Sequence, residues 1–212
     1  MKTLFFKTCP MFSSMLIVLS IYLSTINHRK KHQFMTFMVM FLLVCMYTHR
    51  VPENLNIIKE QNLIVSPAFG KVVEIGTIED HTRICIFLNL DDVHVQYLPT
   101  DGTIIKKVYK PGEFNPANLI EKGEANERME TYIKPSYNSE SVILVNQIAG
   151  ILARTIIHFK GEGDQLNKGD LMGIIQFGSR VDIYIPTRDI DVILVSVNDV
   201  VKGPETALVK IK

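Results

Sequence analysis

Residues 157–175 read Ile157-His158-Phe159-Lys160-Gly161-Glu162-Gly163-Asp164-Gln165-Leu166-Asn167-Lys168-Gly169-Asp170-Leu171-Met172-Gly173-Ile174-Ile175. Two Gly-Asp pairs, at 163–164 and 169–170, separate two apolar runs and enclose one apolar residue, Leu166. So tight a reversal between isoleucine-rich runs predicts short antiparallel strands, not a helix. Its glycines are expected in left-handed conformations that other residues resist. Working outward, strand-like runs recur at Leu63–Val65, Lys71–Ile75, Arg83–Asn89, His94–Leu98 and Thr103–Tyr109. Further runs lie at Val142–Gln147, Ile151–Phe159, Leu171–Phe177, Val181–Ile185 and Asp191–Val197. Asp101-Gly102 and Lys110-Pro111-Gly112 punctuate them, and Asn115–Asn126, with Pro116 near its start, is expected to be a helix or loop. The pattern predicts a mainly β domain over residues 51–212, antiparallel and of barrel or sandwich type.

The first 50 residues have a different texture, with almost no acidic side chains. Apolar runs at Met11–Ile26 and Phe34–Thr48 flank a basic segment, Asn27-His28-Arg29-Lys30-Lys31-His32-Gln33. Each run falls a little short of the roughly 20 residues that cross a bilayer squarely. No small-residue cleavage site follows the first, and the second lacks the polar spacing of a soluble core helix. A membrane-associated helical hairpin over residues 1–50 is therefore expected, either spanning or lying in one leaflet, with the basic loop among headgroups. The compartment is not legible.

Net charge is +1 over 212 residues, with no charge run, which excludes a general nucleic-acid binder. Cys9, Cys45 and Cys85 stand far apart and away from histidines at ligand spacing. They read as packing residues, and neither a disulfide framework nor a metal site is expected.

The 157–175 segment resembles the hammerhead turn of barrel-sandwich hybrid domains, as in lipoyl and biotinyl carriers. Carriers present a modifiable lysine at a hairpin tip. No such hairpin occurs here, so the resemblance concerns the fold and not a carrier function.

Gly178-Ser179 follows the run Leu171–Phe177. Gly-Ser is a common turn pair. A serine after glycine can also attack the carbonyl behind it, because glycine offers no side chain to obstruct the approach. Four further segments bear on the choice: Ser66-Pro67-Ala68-Phe69-Gly70-Lys71-Val72, Asp92-Val93-His94-Val95 with Pro99 and Asp101-Gly102, Asn126-Glu127-Arg128, and Gln147-Ile148-Ala149-Gly150-Ile151-Leu152-Ala153-Arg154. With Phe177-Gly178-Ser179-Arg180-Val181-Asp182 last, they resemble in order and spacing the short form of the phosphatidylserine decarboxylase family, over about residues 48–187.

The resemblance implies a pyruvoyl-dependent proenzyme. Ser179 would attack the Gly178 carbonyl, shift the chain to an ester, eliminate, and become a pyruvoyl group. The mature form would be a heterodimer of a long chain, 1–178, and a short chain, 179–212. The pyruvoyl ketone would form an imine with phosphatidylserine and accept the electrons released with carbon dioxide, giving phosphatidylethanolamine without a metal. His94 matches the family's histidine and is the expected acid–base group. Asp92 is expected to orient its loop, and Asp101 to serve a turn. Arg154 and Arg180 are candidates for the lipid phosphate or the substrate carboxylate, with a structural role the alternative for each.

The chain departs from the family at Phe69, where an aspartate implicated in orienting a histidine during self-cleavage is expected. Tyr97 stands where longer-form members carry a second histidine. Two alternatives stay open: an uncut, membrane-tethered β module that binds or scaffolds, and a decarboxylase of another amino-acid headgroup. Restoring a carboxylate with Phe69→Asp is expected to speed maturation if another group has not replaced it.

Overall fold

The computed structural model describes residues 28–48, 50–153, 155–175 and 178–212. Met1–Val51 and Pro52–Lys212 form separate compact units. In the first, helix α1 runs His28–Thr48. The basic segment expected to be a loop is therefore helical from His28 onward. The first arm of the expected hairpin, Met11–Ile26, lies outside the described residues. Phe37, Met40 and Leu43 are exposed on one side of α1 and Met35 and Val39 on the other, so apolar side chains face outward on more than one side. The Arg50 guanidinium closes the helix end, donating to the Tyr47 carbonyl at 2.8 Å and covering its ring. Among the described residues no helix is long and apolar enough to cross a membrane.

The second unit is mainly β. Its strands are β1 (Leu63–Val65), β2 (Phe69–Ile78), β3 (His81–Leu88), β4 (Val95–Tyr97), β5 (Gly102–Lys110), β6 (Arg128–Pro135) and β7 (Ile143–Ile148). They continue as β8 (Ile156–His158), β9 (Gln165–Leu166), β10 (Leu171–Ile175), β11 (Ser179–Pro186), β12 (Ile190–Ile193), β13 (Val200–Lys202) and β14 (Ala207–Ile211). Every strand pairing is antiparallel, in three sheets ordered β13-β2-β3-β11-β7-β6-β5-β9, β4-β10-β8 and β1-β14-β12. Of the segment Asn115–Asn126 only Ile120–Gly123, α2, is helical.

The opening segment reverses the chain between β8 and β10, which pair through Ile157↔Ile174. Gly163 and Gly169 have φ of +87° and +83°, the left-handed conformation expected of them. The expected strand Ile151–Phe159 is only Ile156–His158, because Ile151 and Leu152 lie in an exposed bend. β6 was not legible. Its Glu130 looks like a surface charge, but it is buried and paired with Lys110 at 2.6 Å and Arg128 at 3.1 Å.

β11 lies between β3 and β7, and both of its faces are covered. Val181, Ile183 and Ile185 enter the apolar core, while Arg180, Asp182 and Tyr184 point the other way. Full burial of side chains such as Ile183 contributes about 1.5–3 kcal/mol each.

His158 receives a hydrogen bond from the Thr131 hydroxyl at 3.0 Å and donates from Nδ1 to the Lys160 carbonyl at 3.1 Å. Burial lowers its pKa from 6.5 to about 4, with the nearby Lys107 charge acting in the same direction. Above pH 6.5 the ring is neutral in both folded and unfolded chains, and its contribution is fully present. Between 6.5 and about 4 the unfolded chain takes up a proton that the folded chain refuses, so stability falls with pH. Over that window the loss approaches about 3 kcal/mol. Urea unfolding at stepped pH should show that slope in the wild type and a flatter one in His158→Gln.

Candidate active site

The chain between Asn89 and Asp92 closes on itself, with the Asn89 N–H donating to Asp92 Oδ2 at 2.8 Å and the Asp92 N–H to the Asn89 carbonyl at 3.1 Å. This turn delivers His94 to the interior beside β11. The imidazole is buried, with Nδ1 2.8 Å from the Asp92 carbonyl and Nε2 3.0 Å from the Gly178 N–H. A carbonyl can only accept and an N–H can only donate. Both contacts hold together in the neutral ring with its proton on Nδ1. The backbone of His94 is held too: its carbonyl accepts from the Gln96 side chain at 2.7 Å and the Ile175 N–H at 3.2 Å. Gln147, on β7, extends this network by donating to Gln96 at 2.8 Å.

Gly178 has φ +67°, a left-handed angle that a side chain would strain. Ser179 is not in a turn: it opens β11, paired with Leu88 of β3. It is completely buried, and its Oγ has no hydrogen-bond partner among the described residues. An unsatisfied buried hydroxyl costs about 1–3 kcal/mol, and such groups are tolerated chiefly where function requires them. His94, Gly178 and Ser179, picked out separately by sequence, therefore meet at one place.

Gly178 also lines an apolar cup of about 340 Å³, with Phe87, Leu90, Pro116, Ala117, Ile151 and Leu152 among its walls. Leu90, Ile151 and Leu152 are 51%, 53% and 61% exposed at its rim. Asn126 accepts from the Asn115 N–H at 2.8 Å and donates to the carbonyls of Asn115 at 2.9 Å and Ala149 at 2.8 Å. Sequence reasoning gave Asn126, Gln147 and Gly150 no role, although each lies in a segment it had singled out.

A family model described as phosphatidylserine decarboxylase matches residues 41–209. This chain belongs to the phosphatidylserine decarboxylase family. Its relatives include the phosphatidylserine decarboxylase proenzyme of Ehrlichia chaffeensis, 42% identical over 151 residues that cover 68% of this chain and 66% of the relative. The proenzymes of Ehrlichia ruminantium strains Welgevonden and Gardel are each 42% identical over 152 residues, with the same coverage. The chain thus spans just under two thirds of the length of these phosphatidylserine decarboxylase relatives.

The two family departures are one feature in space. The Phe69 and Tyr97 rings meet edge to face, with centroids 6.1 Å apart. Burial pushes the Tyr97 phenol above its ordinary pKa, which keeps it protonated. A carboxylate at 69 would thus face position 97, while His94 takes its orientation from the Asp92 carbonyl. Phe69→Asp would set a carboxylate toward the Tyr97 phenol, where longer-form members carry a second histidine.

Arg180, a candidate for substrate contact, is fully buried. Its Nε and Nη2 grip the Asp182 carboxylate at 2.8 and 2.9 Å, and Nη2 also reaches Glu124 at 3.4 Å. Burial opposes the charge, but Asp182 more than offsets it and holds the guanidinium above its ordinary pKa. This geometry matches the structural alternative for Arg180. Arg154 lies outside the described residues. Asp101 ties its turn to the opening segment, accepting from the Lys168 N–H at 2.7 Å. Among the described residues no group of three or more His, Cys, Asp or Glu side chains could hold a metal ion.

Removing one partner of the Arg180–Asp182 pair, as in Asp182→Leu, should destabilise the fold by about 3–5 kcal/mol, because a charge is left buried alone. Arg180→Met combined with Asp182→Leu should recover most of that loss in chemical denaturation.

Proposed function

We propose that this chain is a membrane-associated phosphatidylserine decarboxylase proenzyme that cuts itself between Gly178 and Ser179. The observation that carries the reading is the His94 imidazole on the Gly178 N–H, beside a buried serine hydroxyl without a partner. Family membership and the 42% identity to curated proenzymes support it.

In the first step the Ser179 Oγ bonds to the Gly178 carbonyl carbon, the peptide C–N bond breaks, and the hydroxyl proton ends on the freed amine. Loss of the Ser179 Cα proton then breaks the Cβ–O bond, leaving a carboxylate on Gly178 and dehydroalanine at 179. One water releases ammonia and leaves the pyruvoyl group. A serine hydroxyl is a weak nucleophile unless a base assists it. His94 Nε2, which carries no proton in the neutral tautomer, accepts from the Gly178 N–H, one residue before the bond that breaks.

The residues fit the group: a buried serine at a strand start, preceded by a glycine in a left-handed conformation that leaves its carbonyl unobstructed by a side chain. A pyruvoyl ketone supplies an electron sink for decarboxylation of an amine-bearing acid. The chain's part is to bind and exclude water. The apolar cup at Gly178 suits the acyl-bearing side of a phospholipid, and buried His94 can hold or return a proton beside residue 179. The apolar surface of α1 supports membrane association.

The rival reading, an uncut β module used for binding or scaffolding, rests on the aromatic pair at 69 and 97. Intact mass decides between them. The 24.1 kDa chain should yield 1–178 and 179–212, the shorter refusing N-terminal sequencing. Ser179→Ala should stay whole and inactive. A wild-type chain that remains whole sinks the decarboxylase. Phosphatidylethanolamine should accumulate in cells lacking their own synthesis, and no accumulation would point to another headgroup.

A further inference from the structure

The carbonyl that Ser179 attacks has a wall behind it, built from groups that none of the steps above uses. A methyl group added to Gly150 would come within 2.3 Å of the Gly178 carbonyl oxygen and 3.3 Å of its carbon. The φ of Gly150 lies outside the left-handed region, so this contact, and not its backbone angle, demands glycine. Both polar groups of the preceding residue are pinned. The Ala149 N–H donates to the Glu127 carbonyl at 2.9 Å, and the Ala149 carbonyl accepts from Asn126 Nδ2 at 2.8 Å. Asn126 is buried and tied twice to the Asn115 backbone. On the other side of the Gly178 α-carbon, His94 holds the Gly178 N–H at 3.0 Å.

We propose that Gly150, fixed by Asn126, is a positioning element for self-cleavage: it sets the direction of the Gly178 carbonyl before Ser179 attacks. The proposal rests on the self-cleavage reading and deepens it. Gly178 is held on both sides of its α-carbon, its N–H by the imidazole and its carbonyl oxygen by the bare α-carbon of Gly150. A side chain at 150 must push that oxygen aside, because non-bonded contacts of 2.3 Å do not persist. A displacement of about 1 Å at a reacting group costs on the order of 100-fold in rate.

The test follows conversion of the full-length protein to its two chains. Gly150→Ala should be cut on the order of 100-fold more slowly, with the pH profile of the rate unshifted and the melting temperature within a few degrees of wild type. Hydroxylamine cleaves an ester at the junction but not an amide. It should release nothing extra from Gly150→Ala, because the acyl shift itself is slowed. A hydroxylamine-sensitive ester that accumulates would assign the defect to elimination and overturn the proposal, as would cutting at the wild-type rate. If Gly150→Ala does not fold, Asn126→Asp keeps the acceptor and the volume but loses both donated bonds, to Ala149 and to Asn115. It should be cut about 10-fold more slowly, equivalent to about 1.4 kcal/mol.

A second measurement does not depend on cutting. In a Ser179→Ala background, adding Gly150→Ala should speed solvent exchange of the Gly178 amide at least tenfold, because the carbonyl's displacement loosens the bond to His94. Unchanged exchange overturns the proposal. A wild-type chain that stays uncut overturns the decarboxylase reading instead, and the exchange result still decides whether Gly150 holds this peptide.

Discussion

β11 is covered on both faces and yet begins with a serine whose buried hydroxyl has no partner among the described residues. That constraint organises the second unit. Strand alternation sends Val181, Ile183 and Ile185 into the apolar core, so Arg180 and Asp182 must be accommodated behind it. The two-point Arg180–Asp182 pair does this, with Glu124 and α2 closing over the guanidinium. A slip of one residue would bring Arg180 into the apolar core and turn Ser179 away. The ion pair therefore acts at a distance on the serine by fixing the register of its strand.

The site is built where elements end. His94 arrives just before β4, Ala149 and Gly150 just after β7, and Ser179 at the start of β11. Antiparallel ladders hold the ends close, while the bends supply angles that a regular strand does not allow. The groups that hold Gly178 are in turn held by others: His94 by the Asp92 carbonyl and Gln96, and Gly150 through its neighbour Ala149, whose carbonyl accepts from Asn126. The position of the peptide then comes from hydrogen bonds and close packing, and no part of it depends on a long side chain that could relax.

Much of this was legible in the sequence. The Gly-Asp reversals announced an antiparallel β domain, and the ordered segments around Ser66, His94, Asn126, Gln147 and Gly178 named the residues that meet. Partnership was less legible. Phe69 read as the loss of a carboxylate that orients a histidine, and only the ring contact with Tyr97 reveals that positions 69 and 97 lie together. Arg180 read as either an anion binder or a structural residue, and only the fold shows that the face it shares with Asp182 is buried. β6 was missed because Glu130 reads as a surface charge, whereas it pairs with Arg128 on its own strand and with Lys110 across a β5–β6 ladder that a linear reading does not contain. The extent of Ile151–Phe159 was overestimated for a related reason: apolar composition does not distinguish a strand from an exposed rim.

Cutting before β11 would change what kind of object the protein is. Residues 179–212 contribute a central strand to the largest sheet, another at its edge, and the middle and one edge of a smaller sheet. The two fragments would be interwoven and would not separate without unfolding both sheets. Before the cut, unfolding is an event within one chain and its midpoint is independent of concentration. Afterwards it is also a dissociation, and refolding requires two strangers to find each other at a concentration the cell does not guarantee. Maturation then converts a reversible fold into a state held by history: once lost, it is more readily replaced by a newly made chain than recovered from its parts.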